Sequence, residues 1–317
     1  MANDPGLASD TSTFLQAIAG DNGVHDPNGV FWLSPDILLT GPTSGIGKAD
    51  PGEDNTVDVT FHASANGTVP AGTESLSIEL YAANPSLVMA PNNPQSTFHV
   101  DSFGQPLLAP GGSATLQFHW VPPVGVAASD PQAPGHKCLV ARAYADPLTP
   151  SPSNFFLPQD PHVAQHNICI VPCGGPGAAT KPAGCGTTVT TANVWPTLQK
   201  ARIRATLDTD PSKVVREIVI AHLKRVKGFQ RLAAKGPKSF GFTFGDVRRV
   251  RPLAVPRLSK GKVVESEVPL EPGQVLAFRF AADLSGGKLG EAHIFHLTHA
   301  TAPGGVQGGL TVVLLGI

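Results

Sequence analysis

The sequence predicts a mainly β protein built from two immunoglobulin-like β-sandwich domains, on three observations. Apolar and polar residues alternate over short runs, the period of half-buried strands. The chain holds 34 Gly and 31 Pro among 317 residues, an excess that favours many turns over long helices. The runs are evenly spaced with no helical period between most of them, the pattern of a sandwich. Hydrophobic residues make up 41% of the chain, enough for true cores.

The first residues, 1–28, read as an N-terminal arm with one short helical stretch around Thr13 to Ala19. Residues 29–171 read as the first sandwich. Val57, Val59 and Phe61 alternate with Asp58, Thr60 and His62, and Leu76, Ile78 and Leu80 alternate with Ser77, Glu79 and Tyr81. The same period recurs at Leu116, Phe118 and Trp120 and again at Leu139, Ala141 and Ala143, each read as a half-buried strand. Turn punctuation separates them, as at Asn66-Gly67, Pro110-Gly111-Gly112 and Pro122-Pro123.

Residues 172–195, rich in Gly and Pro, read as a linker, and 196–317 as a second, basic sandwich. The second half opens on Ala201, Ile203, Ala205 and Leu207 as a strand. Asp210-Pro211 then precedes Val214, Val215, Ile218, Val219, His222, Leu223 and Val226, closed by Gly228. This spacing, with an acidic cap and an early proline, predicts a helix over 211–227. Its β-branched content argues for a strand instead. Strands resume at Phe240–Phe244, Val263–Val268, Val275–Phe280, His293–Thr298 and Leu310–Leu315.

Between Phe31 and Val171 several motifs stand in order. Trp32-x-Ser34-Pro35-Asp36-Ile37 opens the segment, followed by an alternating strand with Asn66-Gly67 at its turn and by Leu80-Tyr81 before a long loop. The segment running from Leu108-Ala-Pro-Gly-Gly to Trp120-Val-Pro-Pro123, then Gly135 to Arg142, Asp146-Pro147 and His162 to Ile168, complete the set. In these features the segment resembles the CARDB-type immunoglobulin-like adhesion domains of bacterial surface and secreted proteins. The resemblance implies a sandwich serving as adhesin, spacer or assembly module, and it does not extend past Val171.

Charge is low, at 15% of residues, and unevenly placed. Up to Trp195, 4 Lys and Arg stand against 15 Asp and Glu, a net of −11. Beyond it 19 stand against 9, a net of +10, so the whole chain carries −1. Such a split is a prior for electrostatic partnering between copies or between halves. The basic residues cluster as Lys224, Arg225, Lys227 and Arg231 and as Arg248, Arg249, Arg251 and Arg257. This patch suits an anionic polysaccharide, nucleic acid or an acidic protein surface. Scarce aromatic residues nearby disfavour single-stranded nucleic acid.

Four cysteines, Cys138, Cys169, Cys173 and Cys185, are candidates for two disulfides. Cys138 and Cys169 sit on strands that neighbour each other in a sandwich, and Cys173 and Cys185 bracket the linker. Free thiols and a zinc site are the alternatives, but Cys-x₃-Cys with one distant cysteine is poor finger spacing. His293, His296 and His299 invite a metal reading. On a strand, however, His296 faces away from the other two, which lie about 20 Å apart. His162 and His166 beside Asp160, with His136, read either as a metal cluster or as turn and edge hydrogen bonding. Asp50, Glu53, Asp54 and Asp58 form an acidic loop, either solvated or a weak calcium site. Gly45-Ile46-Gly47-Lys48 lacks phosphate-loop spacing and reads as a surface loop. No serine-hydrolase, zinc-protease or nucleotide-binding signature is visible, so no catalytic residue, metal or cofactor is expected. The expected function is a non-catalytic structural or adhesive module that self-associates, with carbohydrate binding as the alternative. The expected location is extracellular or at the cell surface, without membrane insertion, although no signal peptide is visible.

Overall fold

The computed structural model describes residues 4–26, 29–126, 130–132, 135–146, 148–174, 184–244, 262–301 and 305–317. In chain order the first half carries β1 (Thr13–Phe14), β2 (Ile37–Gly41), β3 (Gly45–Ile46), β4 (Lys48–Ala49), β5 (Asn55–Ala63) and β6 (Ser75–Ala83). It continues with β7 (Phe98–Pro106), β8 (Ser113–Trp120), β9 (Gly135–His136), β10 (Cys138–Asp146) and β11 (Val163–Cys173). The second half carries β12 (Cys185–Ala192), β13 (Gln199–Asp208), α1 (Lys213–Leu223), β14 (Arg231–Leu232) and β15 (Ser239–Phe244). It ends with β16 (Val263–Leu270), β17 (Val275–Asp283), β18 (Glu291–Thr301) and β19 (Gly305–Gly316). The mainly β reading holds, and the antiparallel sheets stack as sandwiches.

One sheet runs through both halves, in the order β16-β13-β18-β19-β11-β10-β6-β7. The junction is the parallel pairing of β11 with β19, from Ile168 opposite Thr311 to Cys173 opposite Gly316. A five-stranded sheet around β5 faces the first half of this wall, and a three-stranded sheet, β12-β17-β15, faces the second. Two apolar cores result. One joins Val57, Val59, Phe61 and Phe118 to Leu76, Ile78 and Leu139. The other joins Phe240, Phe242, Phe278 and Phe280 to Phe295, the α1 residues Val215, Val219 and Leu223, and Trp32, Val140 and Ile168 of the first half.

Strands in the middle of the wall are covered on both sides. Leu310 to Leu315 are each 0% exposed, which is why the end of the chain reads as a continuous apolar run. Burial of each such Val or Leu contributes about 1.5–3 kcal/mol. The halves are also locked by close approach at Gly308 and Gly309. A Cβ on Gly309 would fall 2.1 Å from the Trp32 ring, and one on Gly308 would fall 1.9 Å from the Leu87 carbonyl oxygen. Trp32 Nε1 meanwhile donates to Thr311 Oγ1 at 2.9 Å.

The helix forms where its spacing predicts, with Ser212 rather than Asp210 as the cap, its hydroxyl accepting from Val215 N. Several expectations are corrected. Thr13 to Ala19 holds no helix, because Thr13–Phe14 pairs as a strand with His62 and Ala63. The described residues of the N-terminal segment are no free arm: Leu7 and Leu15 are fully buried. Of the expected linker, Cys185–Ala192 is a strand paired with β17. The β10 strand is not half-buried, since both of its faces are covered. The Gly45–Lys48 segment forms the short strands β3 and β4.

Candidate functional site

The acidic side chains of the first half are largely structural. Asp10 accepts from Ser12 N, Thr13 N and Ala145 N at 3.0, 3.1 and 2.9 Å. Asp4 accepts from Ser151 N at 2.6 Å, and Asp36 accepts from Gln16 N at 2.6 Å. Asp160 accepts from Asp4 N and from His162 Nδ1, the latter at 2.7 Å. All four of these carboxylates are buried. Burial opposes charge on His162, yet Asp160 and Asp10 raise its pKa above the usual value. His162 and Asp160 thus pin the N-terminal segment by hydrogen bonding, and no group of three or more metal-ligating side chains exists among the described residues.

A second internal cluster surrounds Arg142, which is 3% exposed. Its guanidinium meets Glu79 at 2.6 Å, and Tyr81 and Tyr144 both donate to the same carboxylate. The aromatic faces of Tyr81, Tyr144 and Phe155 lie within 5.8 Å of it. The two tyrosines of the chain therefore serve one buried ion pair.

On β18, His296 faces away from His293 and His299, as the strand period requires. Its Nε2 donates to Asp208 at 3.0 Å, and its Nδ1 accepts from Thr311 Oγ1 at 3.1 Å. That hydrogen bond from His296 is the main reason the Asp208 carboxyl sits below its usual range. The order Thr-His-Asp resembles a nucleophilic relay. Here the Thr311 hydroxyl is fully buried behind Trp32 and has no open side. His299 bonds Thr191 at 2.6 Å, and burial pushes its pKa down to about 4.

Cys173 and Cys185 are disulfide-bonded across 12 residues with a Cα–Cα distance of 5.5 Å. The other expected bridge does not form, and Cys138 and Cys169 are buried free thiols. The register explains this: Cys138 stands opposite Asn167, two residues short of Cys169. Cys138 instead contacts the Asn167 side chain and the Ser86 amide.

Of the basic patch, Lys224, Arg225, Lys227 and Arg231 are all exposed. Arg231 pairs with Glu291 at 3.0 Å. Arg248, Arg249, Arg251 and Arg257 lie outside the described residues. The acidic loop is partly consumed, because Asp50 accepts from the Thr43 and Ser44 amides at 2.8 Å each and Asp54 pairs with His119 at 2.9 Å.

The concave feature that collects charge lies on the seam between the halves. A cavity of about 260 Å³ is lined by Ser44, Ile46 and Lys48 of the first half together with His222 in the last turn of α1 and Arg225 and Lys227 just beyond it. Arg225 and Lys227 were legible as part of a basic cluster, whereas Lys48 and His222 were missed. The available signal for His222 was its place on the apolar stripe of α1 with Val215, Val219 and Leu223.

No family model matches the chain, and no curated protein matches it. Among solved structures, the collagen adhesin of S. aureus aligns over 88% of this chain and 92% of its own, at 7% identity and a TM-score of 0.25. The collagen-binding domain of the Erysipelothrix rhusiopathiae surface protein RspB aligns over the whole of both chains at 6% identity and a TM-score of 0.20. Red sea bream transglutaminase aligns at 11% identity and a TM-score of 0.20 over 88% of this chain, which spans 31% of that enzyme. Superpositions this loose carry no functional argument. No helix among the described residues is long and apolar enough to cross a membrane.

Proposed function

We propose that this protein is a non-catalytic structural or adhesive surface module that associates with further copies of itself through oppositely charged faces. The observation that carries the reading is that every described Lys and Arg of the second half faces outward, as do Glu53, Asp54, Glu74 and Asp101 of the first. Coulomb attraction between such faces is screened beyond about 8 Å at physiological ionic strength, so contact must be close and charge sets orientation. A head-to-tail contact is heterologous and closes into a ring or runs on as a filament. The resemblance of residues 31–171 to CARDB-type adhesion domains fits this role and an extracellular or surface location.

Light scattering at low and physiological salt over a range of protein concentrations tests the proposal. Mass should rise with concentration at low salt, and the variant carrying Lys224→Glu, Arg225→Glu and Lys227→Glu should stay monomeric with an unchanged circular dichroism spectrum. A wild type that stays monomeric at low salt and high concentration overturns it. Binding of an anionic polysaccharide is the second reading, favoured by the seam cavity, which is too small for a protein element and is edged with cations.

A further inference from the structure

We infer that Lys137 and Asn84 become covalently joined once the chain has folded: the lysine amine displaces the asparagine side-chain nitrogen, leaving an amide bond that ties the end of β6 to the start of β10. The bond forms within one copy of the chain and is independent of self-association.

The sheet brings the two side chains together. Cys138 stands opposite Ala83 in the antiparallel pair of β10 with β6. Lys137 and Asn84 are the next residues outward, where the ladder stops. Lys137 is only 3% exposed and is the sole buried lysine among the described residues. Its neighbour Cys138 and the facing Ala83 both belong to the larger apolar core. The amine forms no ion pair within 4.0 Å among the described residues. It instead approaches Asn84 Oδ1 at 2.8 Å and the Pro131 carbonyl oxygen at 2.9 Å. Asn84 Nδ2 donates to the Asp130 carbonyl oxygen at 2.5 Å, which holds the carboxamide with its oxygen towards the lysine.

An ammonium buried without a contacting carboxylate is costly, so the site favours the neutral amine. Burial pushes the Lys137 amine down to about 8, with Cys138 and Asp130 opposing. A neutral amine carries the lone pair that an ammonium lacks, and its side-chain neighbour here is an electrophilic carbon. With a C=O bond of about 1.23 Å, that carbon lies within about 4 Å of Nζ. A small shift gives the roughly 3–3.5 Å of a near-attack arrangement, and holding both groups in register raises their effective concentration to the order of 10⁵–10⁸ M. In the step itself the Nζ–Cγ bond forms and the Cγ–Nδ2 bond breaks. One proton passes from Nζ to Nδ2, which leaves as ammonia, and no oxidant or reductant takes part. Asp130, whose charge acts on the amine, carries that proton: its carboxylate takes it from Nζ and returns it to Nδ2. Reaction before folding is excluded by the same geometry, because residues 53 positions apart meet only in the finished sheet.

Intact-mass measurement of the full chain, reduced and denatured so that the disulfide adds nothing, tests the inference. The wild type should weigh about 17 Da less than its sequence, the mass of one ammonia. Trypsin should fail to cut after Lys137 and should release residues 49–142 as one internally bridged peptide. Lys137→Met, which keeps an unbranched side chain in the buried position, and Asn84→Ala should each show full sequence mass. Asp130→Asn should leave an unreacted fraction, and complete reaction in that variant would overturn the part assigned to the acid. A wild type of full sequence mass overturns the whole inference, whether or not the variants fold. So does a 17 Da deficit with normal cleavage after Lys137, which would mark ring closure at Asn66-Gly67 in the same peptide.

Discussion

The two halves of the molecule place their charged side chains in opposite ways. In the first half Asp4, Asp10, Asp36 and Asp160 are buried, and so are Lys137 and Arg142. Their partners include backbone amides and carbonyls together with His62, His162, Asn84, Glu79 and Tyr81, so the net of −11 overstates the charge that solvent meets. In the second half every described Lys and Arg is exposed, and the aromatic core is free of them. The contrast follows from the strands. The central strands of the first half, β10 and β11, are covered on both faces, so polar residues placed there must be satisfied internally. The Lys and Arg of β13 sit on its solvent side, where Arg202 faces Glu267 and Arg204 faces Glu265 across the sheet edge. Charge in one half is built into the structure, and in the other it stands at the surface.

The largest effect should come from breaking the internal pair. Glu79→Ala leaves the Arg142 guanidinium buried without its counter-charge and removes the acceptor of two tyrosine hydroxyls. We expect a loss of about 3–5 kcal/mol of stability, read as a lower urea midpoint. A loss below about 1 kcal/mol would mean the pair behaves as a surface bridge and the contrast between the halves is false.

Buried histidines sharpen the same comparison through pH. His166 of the first half and His299 of the second are both held neutral by burial, with pKa values of about 4, and the His222 neighbour adds to the effect on His166. A folded-state value below the unfolded 6.5 gives stability that is fully present above pH 6.5 and lost as pH falls towards 4. Each ring contributes about 3 kcal/mol over that window. His162 acts in the other direction, since its raised pKa gives stability present below pH 6.5 and lost as pH rises through the raised value. Unfolding midpoints should therefore fall between pH 6.5 and 4, and His299→Gln should flatten the slope. An unchanged slope in that variant would remove His299 from the account.

The disulfide joins the end of β11 to the start of β12, beside the parallel junction of the wall. Closing a loop of 12 residues restricts the unfolded chain by roughly 3 kcal/mol in the chain-entropy model. Reduction should lower Tm correspondingly. Alkylation of the unreduced, denatured protein should label two thiols, Cys138 and Cys169, and labelling of four would show the bridge absent.

Much of this architecture was legible in the residues. The alternation of Val57, Val59 and Phe61 marks β5 within its observed bounds, and its burial alternates as the period demands. The helix was legible from spacing against its β-branched content because packing of Val215, Val219 and Leu223 outweighs propensity. The shared wall was not legible. Arg142 and Tyr144 alternate with Ala141 and Ala143 as a solvent face would, and nothing local reveals that Glu79 and Tyr81 wait across the strand to bury them. The same limit applied to the seam. Lys48 and Arg225 are 177 positions apart, and they meet through long-range packing that includes the pairing of β11 with β19.

The smallest effect on stability should come from the outward charges of the second half. Arg216 and Lys235 are exposed and make no ion pair within 4.0 Å among the described residues. Reversing both to Glu removes no buried contact and leaves no polar group stranded, so the unfolding free energy should stay within about 0.5 kcal/mol of wild type. The matched change in the first half, Asp10→Asn, replaces a carboxylate that accepts from three backbone amides by an amide with a single acceptor oxygen. It should cost about 1–3 kcal/mol although it alters charge by less. Denaturant melts of the two variants side by side decide the point. If the double reversal destabilises as much as Asp10→Asn, the second half also uses its charges to hold its fold. If it leaves the melt in place while weakening low-salt association, those charges act between molecules, as the proposed assembly requires.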